Sequence, residues 1–205
     1  MPQAARLEHT MTFDRFLAFL AERPDGERWE LVDGKPVMNA QPTDFHQIIA
    51  ENVIVFLRAH RREHGAPWIP IGPSAVPIPG ANRSRSPDVT VKRALTGTQF
   101  TPDPITVFEV LSPSNGPQDR TARLSDYRAV PSIEHYVVLH QDRPLATFYS
   151  RADGWEGRDV GPQSRTVDLP ALGVRMPLSA AYEDTPLDYF FTPAARARPR
   201  RPDKS

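Results

Sequence analysis

The sequence predicts a mixed α/β (α+β) fold: a central mixed β-sheet flanked by helices, entered through an N-terminal helix and a β-hairpin. Three observations predict it. Two stretches carry apolar residues at helical spacing behind a capping residue. ITVFEVL, residues 105–111, is a near-continuous β-branched and apolar run, the mark of a strand covered on both faces. The stretches also follow one another as helix, hairpin, helix, strands, helix, strands, an order that lays helices on the faces of one mixed sheet.

Each element has its own signal. Residues 1–11 show no periodicity and are expected to form a flexible N-terminus. Thr12 is placed to N-cap a helix with Phe13, Phe16, Leu17 and Leu20 on its apolar face, ending near Pro24–Gly26. In RWELVDGKPVMNAQ, Asp33–Gly34 between two short apolar runs predicts a hairpin. Thr43 or Asp44 caps a second helix, whose stripe is Ile48, Ile49, Val53, Phe56 and Leu57 and whose stop is Gly65. Residues 66–80 are apolar but rich in proline, which confines them to an edge strand or an extended segment. Pro87–Val91 is a short strand, 94–104 a polar loop, and 105–111 the central strand. SPSNGPQD is a turn. A third helix spans roughly 120–129 and stops before Pro131. Glu134–Leu139 and Leu145–Tyr149 are strands, and 151–177 holds further short ones. The single domain is placed at 12–192, with a disordered Arg- and Pro-rich tail over 193–205.

Composition excludes several function classes. The 205 residues hold 25 basic and 25 acidic side chains, but residues 194–205 carry a net +4, so the body before them carries −4. An acidic body is a poor non-specific nucleic-acid coat, which needs many phosphate-neutralising cations. There is no cysteine, hence no disulfide, thiolate zinc site or Cys nucleophile. No apolar run approaches the roughly 18 residues of a membrane span. MPQAARLEHT lacks the apolar stretch of a secretory leader, which predicts a cytoplasmic location. GxSxG, P-loop and GxGxxG patterns are absent, and Trp29, Trp68 and Trp155 are too scattered for a base-stacking platform. His60 and His64 sit four apart on a helix, but Arg61 stands where a zincin needs Glu, so a solvated helix face is expected.

Two carboxylates stand out. Glu109 lies inside ITVFEVL among apolar neighbours, where an ionised group is costly unless paired or metal-bound; it points either to a solvated face, to an arginine, or into a site. Asp88, in SPDVTV, follows Pro87 and either ends a turn or begins a strand. Two carboxylates converging at one sheet edge suit Mg²⁺, a hard cation that prefers oxygen ligands. Such an ion activates water and stabilises charge on a phosphate.

These residues carry a resemblance. Pro87-Asp88, followed by Glu109-Val110-Leu111-Ser112-Pro113-Ser114, resembles the signature of the Uma family of putative restriction endonucleases, a bacterial branch of the PD-(D/E)XK nuclease superfamily. Glu30-Leu31-Val32-Asp33-Gly34 is similar to its hairpin motif and His46 to its histidine at the second helix. Asp119 and Tyr127 match its following helix, Glu134-His135-Tyr136-Val137-Val138 its next strand, and Asp168-Leu169-Pro170-Ala171-Leu172 its C-terminal segment. The likeness covers roughly residues 10–185. It implies a restriction-endonuclease-like fold, with Asp88 and Glu109 as ligands of Mg²⁺ or Mn²⁺ and with Glu30 and His46 as candidates for the same site. The superfamily places Lys two residues after the Glu; here that position is Leu111. The resemblance puts the basic role on the next helix at Arg123, where Lys is usual. Arginine can hold a phosphate but is a poor general base, its pKa staying above roughly 12.

The reading that results is a Mg²⁺-dependent endonuclease acting on DNA, with Asp88, Glu109, Arg123, Glu30 and His46 as catalytic residues. A catalytically inactive binding protein on the same fold and a hydrolase of another phosphoester stay open beside it. The apolar edge at 67–79 admits pairing with a second copy, and the resemblance also points to a homodimer.

Overall fold

The computed structural model describes residues 10–24, 26–111 and 116–191. The expectations for residues 1–9, for the Ser112–Ser114 turn and for the tail from 193 lie outside the described residues. Helix α1 spans Phe13–Ala21, and Thr12 caps it by accepting the Arg15 N–H. Strands β1 (Trp29–Val32) and β2 (Lys35–Met38) form the hairpin. Asp33 and Gly34 both have positive φ at its turn, the conformation that an Asp-Gly pair adopts most easily. The Met11 N–H donates to Gly34 O at 2.8 Å, which ties the chain ahead of α1 to the turn.

Helix α2 runs Asp44–His64. Thr43 is its N-cap and accepts the His46 N–H, and Gly65 closes it in the left-handed region. Ile49, Val53 and Leu57 are its buried stripe. Strands β3 (Ile69–Ile71), β4 (Val76–Pro77), β5 (Ser84–Arg85), β6 (Val89–Lys92) and β7 (Pro104–Leu111) follow. Helix α3 then covers Pro117–Ala129, and β8 (His135–His140), β9 (Ala146–Ser150), β10 (Arg158–Val160), β11 (Thr166–Leu169), β12 (Val174–Pro177) and the short α4 (Leu178–Tyr182) complete the chain.

Among the described residues the strands form three sheets rather than the single one expected. A six-stranded mixed sheet has the order β10-β9-β8-β7-β6-β3, a four-stranded sheet the order β2-β1-β5-β4, and β11-β12 is a separate hairpin. The N-terminal hairpin leaves the main sheet because β1 pairs with β5, two residues too short to show any periodicity. Strand β7 is central as expected, parallel to β8 and antiparallel to β6. The proline-rich 66–80 segment supplies the edge strands β3 and β4. Helix α3 begins three residues earlier than expected, since Pro117 sits at its first turn, where a missing N–H costs nothing. Asp88 stands just ahead of β6 instead of inside it.

The main sheet is covered on both faces. Ile49, Val53 and Leu57 of α2 pack with Val89, Val91, Phe108, Val110, Val137 and Leu139. On the other face Tyr127 and Val130 of the α3 region pack with Val107, Tyr136 and Val138. Side chains alternate along a strand, so Phe108 and Val110 turn to α2, whereas Val107 and Glu109 turn to α3. The sheet therefore carries a buried carboxylate onto the face that α3 covers.

Candidate active site

The antiparallel register sets Val89 opposite Phe108. Asp88 directly precedes Val89, and Glu109 directly follows Phe108, so the two carboxylates flank that pair. The link is direct, because the Val110 N–H donates to Asp88 Oδ2 at 2.7 Å. Neighbouring like charges repel, and both carboxylates are buried, 4% and 7% exposed. Cations around them offset the repulsion.

Arg28, just before β1, places Nη1 2.8 Å from Asp88 Oδ1 and donates from Nη2 to the Ser86 carbonyl. Arg123, in the second turn of α3, donates from Nη1 to Glu109 Oε1 at 2.8 Å and to Glu30 Oε1 at 3.0 Å, and its Nε is 3.0 Å from Asp119. The Tyr127 hydroxyl, one helical turn along, also donates to Glu109 Oε1. Glu30 faces inward from β1, 2% exposed. It accepts from Arg85 Nη1 and the Ser86 N–H besides Arg123. Arg85 in turn donates to buried Asp126. His46, in the first turn of α2, brings Nε2 to 2.9 Å from Asp88 Oδ2 without the alignment of a hydrogen bond.

All five residues singled out from the sequence thus gather at one cavity of about 130 Å³ lined by Glu30, His46, Asp88, Glu109 and Arg123. Arg28, Gln41, Thr43 and Gln141 share its wall. His60 and His64 stand apart from it, with their rings stacked 4.1 Å apart on α2. Arg28 and Arg85 were missed by sequence reasoning. Neither had a signal: Arg28 sits in a connection, and Arg85 sits in the two-residue β5.

The electrostatics follow from burial and charge. Burial pushes the Glu109 carboxyl up, Arg123 pulls it down, and the neighbouring Asp88 and Glu30 charges push it up again, leaving it at about 7. For Glu30 burial also raises the pKa, but Arg123, Arg85 and the Ser86 N–H outweigh it, and the group is held below its ordinary value. Burial lowers His46, as does Arg28, and the Asp88 charge only partly compensates, so the imidazole is neutral at pH 7. Burial disfavours the Arg123 cation, but Glu109 and Glu30 raise its pKa further, and it stays charged throughout.

Asp88 and Glu109 are the residues that could hold a divalent cation. Two guanidiniums, Arg28 and Arg123, face three carboxylates at the cavity. His46 keeps a buried nitrogen without an aligned partner beside Asp88. Among the described residues no three or more metal-binding side chains form a ready cage. Mg²⁺ does not require one, since it is commonly held by one or two carboxylates, water and phosphate oxygens.

Comparison with known proteins agrees with the sequence resemblance. Residues 13–180 match the family model of Uma2, "Putative restriction endonuclease". A crystal structure of a putative nuclease belonging to DUF820, from Anabaena variabilis ATCC 29413, superposes with a TM-score of 0.67 at 14% identity. The match covers 89% of this chain and 99% of that one, and at that identity it shows the shared fold. No curated protein matches the chain. Among the described residues no helix is long and apolar enough to cross a membrane.

Proposed function

Since the chain belongs to the Uma2 family of putative restriction endonucleases, we propose that it is a divalent-metal-dependent endonuclease that hydrolyses phosphodiester bonds in DNA. The observation that carries the reading is the pair of buried carboxylates, Asp88 and Glu109, at one cavity whose carboxylates outnumber its guanidiniums. These two side chains would hold Mg²⁺ or Mn²⁺. Bound there, the ion supplies an activated water and neutralises charge building on the phosphate.

The chain's own residues do the rest. Arg123, permanently charged, orients a phosphate oxygen at the Glu109 end of the cavity. It cannot take a proton, so no step assigns it one. Glu30 is a positioning residue: it accepts from Arg123 and Arg85 and fixes the first over Glu109. The neutral His46 imidazole sits on the Asp88 side, able to accept or pass a proton.

Supercoiled plasmid and single-stranded DNA incubated with Mg²⁺ or Mn²⁺ test the proposal, with Asp88→Ala and Glu109→Ala in parallel. Cleavage by the parent alone is the expected result. A second reading, a non-catalytic DNA-binding protein on the same fold, is favoured by the arginine at 123 and by guanidiniums already on both carboxylates. Under that reading the parent binds DNA and never cuts it, and Arg123→Lys gains no nicking.

A further inference from the structure

Three neighbouring cavities meet at one side chain. Arg28 lines the carboxylate cavity, a second bounded by Trp29, Pro73 and Gln99, and a third beside α2 bounded by Gln47, Ala50 and Ile54. Among the described residues no other is shared by all three. Its backbone is fixed, since the Arg28 carbonyl accepts the Asn39 N–H at 2.8 Å. Its side chain is held at two of its three nitrogens. The guanidinium spends Nη1 on Asp88 and Nη2 on the Ser86 carbonyl, while Nε is buried with no hydrogen-bond partner among the described residues. A buried donor left unmade is costly, so this arrangement of Arg28 leaves bonding capacity unused.

The position of that charge matters. Arg28 holds Oδ1 of Asp88, one of the two carboxylates that would bind the cation. Two cations cannot occupy one carboxylate edge without repulsion. Arg28 and a divalent ion are therefore competitors for Asp88. Once displaced, the guanidinium remains tethered beside the carboxylate cavity that it lines, where its planar fork matches a phosphate.

We propose that Arg28 serves two anions in turn: the Asp88 carboxylate in the cation-free site, and a backbone phosphate of the substrate once a divalent cation holds Asp88. The inference rests on the metal-dependent reading above and adds a substrate-binding residue to it. It makes a signed prediction. Removing Arg28 helps the cation and harms the nucleic acid, whereas a merely structural residue would weaken both.

The test is isothermal titration of the full chain with Mn²⁺ alone, followed by anisotropy of a labelled oligonucleotide in Ca²⁺, for the parent, Arg28→Gln and the surface control Arg175→Gln. Circular dichroism establishes that each is folded, and Arg28→Lys serves as a second variant should the glutamine one not fold. In Arg28→Gln, Mn²⁺ affinity is expected to rise by about tenfold, the scale of one charge-assisted bond, and oligonucleotide affinity to fall by a similar factor. Arg28→Lys keeps the charge but loses the fork; its oligonucleotide affinity falls less. Parent binding of Mn²⁺ with unchanged or weaker binding by the variant overturns the role of Arg28 alone. No Mn²⁺ binding by the parent or by either Arg28 variant overturns the metal-dependent reading and this inference together.

Discussion

Glu30 and Glu109 accept hydrogen bonds from one and the same nitrogen, Nη1 of Arg123, at 3.0 and 2.8 Å. Two carboxylates from different sheets are thereby joined through a single guanidinium on α3. Behind Glu30 the alternation continues through Arg85 to Asp126, and Arg83 extends it toward solvent. The site is the inner end of a chain of opposite charges, each satisfied by the next.

Breaking that chain in the middle should be expensive. Glu30→Ala leaves Arg85 and Arg123 buried with fewer acceptors, and loss of one partner from a buried pair costs about 3–5 kcal/mol. Urea denaturation should show a loss on this scale, with Glu30→Gln losing less because its oxygen still accepts. A loss below about 1 kcal/mol, within the range of an exposed pair, would contradict the network.

Glu109 should make stability depend on pH in an unusual direction. Its carboxyl is pushed up to about 7 from an ordinary 4.5, so between those values the folded protein keeps a proton that the unfolded chain releases. That contribution is complete below 4.5 and is lost as pH rises through 7. Glu30, held below its ordinary value, works oppositely and loses its contribution as pH falls. Glu109→Gln removes only the first effect. Its stability relative to the parent should therefore increase between about pH 5 and pH 8, and parallel curves would refute the assignment. Tyr127→Phe, which deletes a donor to Glu109, should weaken Mn²⁺ binding near pH 7 and recover at higher pH, because a ligating carboxylate must be ionised.

Arg123 separates binding from chemistry. Arg123→Ala should reduce cleavage by about 10²-fold, the scale of one lost charge-stabilising donor, and should weaken oligonucleotide binding as well. Arg123→Lys restores an amine whose pKa burial can lower. Its cleavage rate should equal or exceed that of the parent. A lysine variant as impaired as alanine would mean that the bidentate geometry, not the charge, is what the site uses.

Thr43 links helix stability to the rim of the cavity. Its hydroxyl oxygen caps α2 at His46 and donates to Gln141. Thr43→Ala should cost about 1 kcal/mol by thermal or chemical denaturation. It should reduce cleavage less than Asp88→Ala does, since it loosens His46 without removing a carboxylate.

Much of this was legible beforehand, for identifiable reasons. The Asp33–Gly34 turn, the Thr43 and Gly65 caps and the central 105–111 strand rest on local chemistry, and local chemistry can be read from a sequence. Glu109 was visible because a carboxylate among apolar residues is anomalous wherever it occurs; Asp88 stood at the expected start of a short strand, and the family resemblance tied it, Glu30, His46 and Arg123 to the same site. Their other partners were not visible. Arg28 and Arg85 are ordinary arginines until the fold buries them against Asp88 and Glu30. The split into separate sheets depends on β5, whose two residues carry no pattern. Long-range pairing of that kind leaves nothing in a window of sequence to detect.

The connection between the two site strands leaves β6 at Lys92 and enters β7 at Pro104, at the far end of both strands from Asp88 and Glu109. The separation of the two carboxylates is set by strand pairing and by the Val110 N–H bond, and the number of residues that join them has no bearing on it. That connection can lengthen or shorten while the pair keeps its spacing, as a hinge pin keeps its place whatever the length of the door.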